Sequence, residues 1–133
     1  DIHLYNMWLK MIKKFSLFSA LTLSLAAFIS PSVMANDLTV EENNTIVKED
    51  IASAQVMAEV CPAIIGQNPK FNSTVEQLIQ SYLADYSDKG MSYQKLQADS
   101  EYKSLLEEAR QGAKQTSSDE QKTVCEEMLN YQG

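Results

Sequence analysis

Histidine and tryptophan are almost missing from this sequence of 133 residues. The chain has one of each, His3 and Trp8, and both lie in residues 1–10. Residues 1–6 have neither the charge nor the hydrophobicity of a signal start, so we interpret residues 1–10 as an upstream, non-native extension, with the true start at Met7 or Met11. Without His3, Ser-His-Asp and Cys-His catalysis and ordinary histidine metal sites are excluded.

Glycine and arginine are also scarce. The four glycines, Gly66, Gly90, Gly112 and Gly133, are widely separated, which argues against a glycine-rich phosphate loop. Arg110 is the single arginine, so the clustered bases that neutralise phosphates are missing. We therefore expect no nucleotide or other cofactor and no nucleic-acid partner.

One apolar run stands out near the start of the chain. Residues 11–35 combine two lysines, the charge-free run Phe15–Ile29 and small residues before a cleavage site between Ala35 and Asn36. The run has about fifteen residues and a spanning helix needs roughly twenty, so a permanent membrane anchor is the weaker alternative. We predict a cleavable signal peptide, a periplasmic mature chain and no stable membrane insertion after cleavage.

Cleavage would leave a strongly acidic protein. The 18 acidic and 11 basic residues become 17 and 8 once residues 1–35 leave with Asp1, Lys10, Lys13 and Lys14, which gives a net charge of −9. This charge favours solubility, and it would also attract a basic protein surface. The expected partner is therefore another protein, with a basic surface favoured.

Both cysteines, Cys61 and Cys125, lie in the part that would be exported. An even count in an oxidising compartment predicts a disulfide. It would close a loop of about 65 residues, worth roughly 4 kcal/mol on the chain-entropy model. A redox pair or a metal site is the weaker alternative, because C-x-x-C spacing, histidine and a nearby basic cluster are all missing.

Apolar residues recur at intervals of three and four in four stretches of the mature chain. Residues 36–44 are polar and acidic and are interpreted as a flexible lead-in to a single helical domain over 45–133. Strand-like alternation is missing, so we predict an all-α fold, a compact bundle of about four helices joined by one disulfide. The predicted buried stripes are Val47, Ile51, Ala54, Ala58 and Cys61; Val75, Leu78, Ile79, Tyr82, Leu83 and Tyr86; Tyr102, Leu105, Leu106, Ala109 and Ala113; and Val124, Cys125, Met128 and Leu129.

Capping and breaking residues predict where these helices begin and end. Pro62 and the stretch 66–69 are expected to form a loop after the first helix. The remaining signals are a capping box at Ser73 and Glu76, a terminating Gly90, a short turn over 91–98 with Ser92 as its cap, a cap at Asp99 or Ser100, and a last helix starting in 117–119 with capping-box spacing at Ser118 and Gln121.

Carboxylates and tyrosines are the remaining candidates for chemistry or contact. Paired glutamates at 41–42, 107–108 and 126–127 could in principle run acid and base chemistry, but neighbours on a helix usually face solvent. Helical spacing favours core packing for Tyr82, Tyr86, Tyr93 and Tyr102, and a shared exposed contact surface is the alternative. We expect a protein that is not an enzyme.

The signal peptide, the four helical stretches and the placement of Cys61 and Cys125 resemble small periplasmic proteins of Gram-negative bacteria. One such family comprises immunity proteins against type VI peptidoglycan amidases, and another comprises acid-stress chaperones. The resemblance implies either an inhibitor that covers a partner's site or a chaperone that exposes apolar faces when its carboxylates are protonated. An uncharacterised family is equally compatible with this layout.

Overall fold

The computed structural model describes residues 37–131, and within them every regular element is a helix. The chain divides into two units, Asp1–Asp37 and Leu38–Gly133, and the helices of the described range lie in the second. They are α1 (Val40–Val60), α2 (Pro62–Ile65), α3 (Pro69–Ala84), α4 (Tyr93–Leu96), α5 (Ser100–Gln115) and α6 (Ser118–Leu129). The predicted all-α bundle with four main helices and one disulfide is confirmed. The predicted extension, signal peptide and cleavage point at Ala35 and Asn36 lie outside the described residues.

Helix α1 is the centre of the bundle. It packs against α5 along one side and against α3 along another, while α6 packs on α2 and α3. Ile51 and Ala52 are completely buried in α1. The predicted stripes form the core, which also takes in the fully buried side chains of Phe71 and Leu96. No helix in the described range is long and apolar enough to cross a membrane.

The disulfide joins the end of α1 to α6. Cys61 and Cys125 are bonded, with their Cα atoms 5.5 Å apart, and both are almost completely buried. Cys61 caps the C-terminus of α1, where its amide donates to the Met57 carbonyl. The bond therefore fixes the C-terminal helix to the central one.

The prediction of a flexible lead-in over 36–44 is wrong for residues 40–44, because α1 already begins at Val40. The side chain of Thr39 accepts from the amide of Glu42 at 3.1 Å, and acidic residues in a first turn favour the positive end of the helix. Asn43 and Asn44 donate to Asp85 and Ser87 in the segment after α3. These distant partners hold residues that have weak helix propensity in a helix.

Two helix starts also differ from the prediction. α3 begins at Pro69 rather than near the expected capping box, because Asn68 accepts from the amides of Lys70 and Phe71. Proline has no amide to satisfy at a first helical position, so Pro62 and Pro69 begin α2 and α3 instead of forming a continuous loop. Ser73 lies inside α3 as a result.

The remaining helix boundaries agree with the prediction in part. Asp99 and Ser92 cap α5 and α4 as predicted. Ser117, not Ser118, caps α6, because its side chain accepts from the Glu120 amide, while Gln121 donates to the Ala113 carbonyl. α3 ends at Ala84, before Gly90, and the positive φ of 80° in the described chain belongs to Gly66 between α2 and α3.

Candidate interaction surface

Most basic side chains of the domain are engaged within it. Lys48, Arg110 and Lys122 form ion pairs with acidic residues. Lys89 and Lys95 donate to backbone carbonyls at 2.6 and 2.7 Å. Few cations are therefore left to balance the acidic residues at the surface.

Many carboxylates have no such partner. Nine exposed acidic side chains make neither an ion pair nor a hydrogen bond with any residue of the described range. Their negative potential is uncompensated by the domain itself, so it extends into solvent. These residues are Asp37, Glu41, Glu42, Glu49, Glu76, Asp85, Glu108, Asp119 and Glu120.

Glu49 interacts electrostatically with three other carboxylates, Asp50 of α1 and Glu101 and Glu108 of α5, and we name the four residues the α1–α5 acidic cluster. Partial burial raises the pKa of Glu49, and the charges of Glu108 and Glu101 raise it further. Burial also raises the pKa of Asp50 to about 6, with an added contribution from Glu49. Like charges are thus held close together where a cation would relieve their repulsion.

A row of polar contacts between α1 and α5 positions this cluster. Thr45 donates to Glu101 at 2.6 Å near the start of the row. The Tyr102 hydroxyl donates to Gln55 at 2.6 Å in the middle. Arg110 makes two hydrogen bonds to Glu59, at 3.0 and 2.7 Å, near its end. These bonds fix the packing of the two helices that carry the acidic residues.

The four tyrosines do not form a shared exposed surface. Tyr102 is completely buried and Tyr86 is 6% exposed, so both belong to the core. Tyr82 and Tyr93 are half-buried and pack against it. The contact-surface alternative is therefore wrong for Tyr86 and Tyr102, because their rings are covered by the bundle, and the core packing that the spacing favoured is confirmed for them.

The three pairs of neighbouring glutamates lie at or near the surface of the domain. Residues 41–42 and 107–108 are exposed, and Glu126 is exposed beside a half-buried Glu127. Within residues 37–131, no three side chains of His, Cys, Asp or Glu are grouped as metal ligands.

The sequence matches the family described as Domain of unknown function (DUF7944) over residues 47–128. The match spans more than half of the chain and includes all of α2 to α5 and most of α1 and α6. The chain belongs to the DUF7944 family. No curated protein and no solved structure matches it.

Two features of this DUF7944 domain escaped the sequence reasoning. Lys48 is 6% exposed although it lies beside Val47 on a helix with a predicted apolar stripe. Its partners, Asp99 and Glu101, are more than fifty positions away in the chain. The partial burial of Asp50 likewise could not be predicted from its neighbours in the sequence. Periodicity places apolar residues on one face, but it does not identify which polar neighbours a second helix covers.

Replacing Asp50 by Asn is expected to stabilise the DUF7944 domain at neutral pH. The folded pKa is about 6 against an ordinary 3.8, so the stability linked to protonated Asp50 is complete below pH 3.8 and lost as pH rises through 6. An Asn at position 50 is neutral at every pH, so the variant should keep this stability at neutral pH. Allowing for solvent screening at a half-buried site, we expect a gain of about 1 to 2 kcal/mol at pH 7.5 and almost none at pH 4.

Urea unfolding of Asp50→Asn and the unmodified protein at both pH values tests this expectation. Asp85→Asn, at an exposed carboxylate without a partner, is the matched control and should change little at either pH. An equal gain for Asp50→Asn at pH 7.5 and pH 4 would contradict an electrostatic origin.

Proposed function

We propose that this protein is a non-enzymatic, exported binding domain that docks a basic surface of another protein onto the α1–α5 acidic cluster. The uncompensated charge of Glu49 and Glu108 within that cluster carries the proposal. Glu49 and Glu108 are exposed and have no cation partner in the described chain, and they repel each other across the α1–α5 boundary. A lysine or arginine from a partner would replace this repulsion with attraction.

The acidic surface favours a protein partner for two physical reasons. Complementary charge speeds diffusional encounter and selects against partners of like charge, including nucleic acid. The cluster also lies on two helices whose packing is fixed by several hydrogen bonds, so little ordering is needed on binding. A rigid acidic face of this kind suits an inhibitor that covers a basic site.

Export is part of the same proposal. The buried disulfide is compatible with folding in an oxidising compartment, where such bonds persist. The signal peptide expected over residues 11–35 would deliver the chain there. An immunity-type inhibitor in the periplasm fits this combination, and the acid-stress chaperone is the alternative.

One observation favours the inhibitor over the chaperone. Burial raises the pKa of Asp50 to about 6, so its protonation in mild acid removes an unfavourable charge from the folded state, and the raised pKa of Glu49 acts in the same direction. This contribution stabilises the fold as pH falls from 7 towards 5. A chaperone that exposes apolar faces in mild acid would need the opposite trend.

Affinity capture from periplasmic extract tests the proposal, with the exported protein as bait and its disulfide intact. We compare it with Glu49→Gln/Glu108→Gln and with a control of equal charge change, Glu76→Gln/Glu120→Gln, at acids outside the cluster. A specific partner should bind the cluster variant about tenfold more weakly and the control nearly normally.

The pattern of capture separates the alternatives. One stoichiometric basic partner that is lost with the cluster variant supports the binding function. Equal losses with both variants would mean that net charge alone attracts the partner, which contradicts a defined site. Many clients captured only at low pH would favour the chaperone instead.

A further inference from the structure

Lys48 is a buried cation at the corner where α1 meets the start of α5. Its side chain is 8% exposed, and its Nζ lies 2.7 Å from Glu101 Oε2 and 3.2 Å from Asp99 Oδ1. The ring of Tyr86, after α3, lies 6.0 Å from the same nitrogen. Two carboxylates and an aromatic face therefore replace the water that the ammonium group has lost.

The same two carboxylates hold the first turn of α5. Asp99 Oδ1 accepts from the Tyr102 amide at 2.8 Å and caps the helix. Glu101 accepts from Thr45 of α1 at 2.6 Å through its other oxygen. The pairing of Lys48 and the attachment of α5 to α1 thus depend on the charge of the same groups.

We propose that Lys48, Asp99 and Glu101, together with the cap that Asp99 gives α5, form an acid-sensitive lock that releases the first turn of α5 from α1 when the two carboxylates are protonated. A protonated pair leaves the ammonium of Lys48 buried without an anion. Lys48 is the buried side of both ion pairs, because its side chain is 8% exposed against 28% for Asp99 and 46% for Glu101. A buried charge left without its partners is more destabilising than the loss of a pair whose cation is exposed. Release of the corner lets water reach Lys48.

The directions of the pKa shifts show that the lock opens in acid, below the ordinary pKa values of its carboxylates. The amide of Tyr102, and then Lys48, lower the pKa of Asp99, while Lys48 and Thr45 lower that of Glu101. Burial alone would lower the pKa of Lys48, but its hydrogen bonds to Glu101 and Asp99 outweigh this and raise the pKa, so it stays charged. Lowered carboxylate pKa values give stability that is present above about pH 4 and lost as pH falls below it.

Other titratable groups near the corner act in a different range. Glu49, beside Lys48 on α1, is influenced by Glu101 and Glu108 and has a raised pKa, as does Asp50. Their protonation favours the folded state and begins at higher pH than that of Asp99 and Glu101. Protonation of Glu49 and Asp50 therefore precedes the opening of the lock and does not cause it.

The same helix pair contains an internal control. Glu59 and Arg110 also join α1 to α5, and Arg110 lowers the pKa of Glu59. Both side chains are about 40% exposed. Protonation of Glu59 would leave Arg110 in contact with water, so this pair gives little acid sensitivity.

Amide hydrogen exchange by NMR between pH 2.5 and pH 6 tests the lock, on the exported protein with its disulfide intact and with rates corrected for intrinsic pH dependence. We expect the protection of the Tyr102 and Lys103 amides to fall by about tenfold for each pH unit below 4. Amides of α6 near Cys125 should keep their protection over the same range.

Variants distinguish the lock from general acid unfolding. Lys48→Met removes the buried cation and should reduce the acid loss of protection at the Tyr102 amide, leaving only the part that comes from protonation of the Asp99 cap. Arg110→Met should behave like the unmodified protein. Glu101→Gln, which keeps an oxygen and an amide but no charge, should reduce protection already at pH 6 and flatten its pH dependence. Equal acid loss in the Lys48→Met variant, or uniform loss across all helices, would overturn the proposal.

Discussion

Replacing Cys61 and Cys125 together by alanine is expected to lower the free energy of unfolding by about 4 kcal/mol. The two cysteines are 64 positions apart, so their bond removes a large loop-closure entropy from the unfolded chain. A single domain of this size has a total stability of about 5 to 15 kcal/mol. The variant should therefore be partly unfolded at 37 °C, with α6 the first element to separate.

Urea unfolding of the oxidised protein, the reduced protein and the double variant measures this loss. The reduced protein keeps both sulfur atoms, so it separates the effect of the covalent bond from that of the small cavity left by alanine. Because both cysteines are buried, the reductant should act at a rate limited by opening of the domain. A loss below about 1 kcal/mol in both forms would contradict a stabilising role for the disulfide.

The features that could be predicted from sequence are those with a local or a countable signal. The apolar stripe from Val47 to Cys61 follows directly from helical period, and its members lie in or against the core. The disulfide followed from two cysteines and one possible pairing. In each case a single physical rule, the helical period or the pairing of two cysteines, allowed only one strong prediction.

Helix starts were harder because several caps competed within a few residues. Ser73 and Glu76 have capping-box spacing, but Asn68 and Pro69 form an earlier start for the same helix. The start of α1 depends on contacts of Asn43 and Asn44 with residues more than forty positions away. Such contacts outweigh local propensity, and only the packed structure contains them.

Only the negative charge of the candidate surface could be predicted from the sequence, not the residues that form it. Composition indicates an acidic protein, but the proximity of Glu49 to Glu101 and Glu108 arises from the packing of α1 on α5. The burial of Lys48 has the same origin. The apolar period therefore gives no sign of the roles of Lys48 and Glu49, because their partners come from another part of the chain.

Replacing Tyr102 by alanine is expected to lower the free energy of unfolding by about 3 to 5 kcal/mol. Its side chain is completely buried between α5 and the rest of the core, and truncation would leave a large cavity. Tyr102→Phe keeps the ring but removes the donor to Gln55, which lies 2.6 Å from the hydroxyl. Gln55 also accepts from Gln97, so this change should lower the free energy of unfolding by only about 1 kcal/mol.

Tyr93→Ala is the matched control, because the half-buried Tyr93 is the tyrosine nearest to Tyr102 in sequence and lies on the one-turn helix α4. It should lower the free energy of unfolding by less than half as much as Tyr102→Ala. Thermal unfolding of the three variants at pH 7 ranks them directly. If Tyr102→Ala were nearly as stable as the unmodified protein but failed to capture its partner, the ring would belong to a contact surface. If Tyr102→Phe lost stability without any loss of binding, its hydroxyl would have a structural role and no part in recognition.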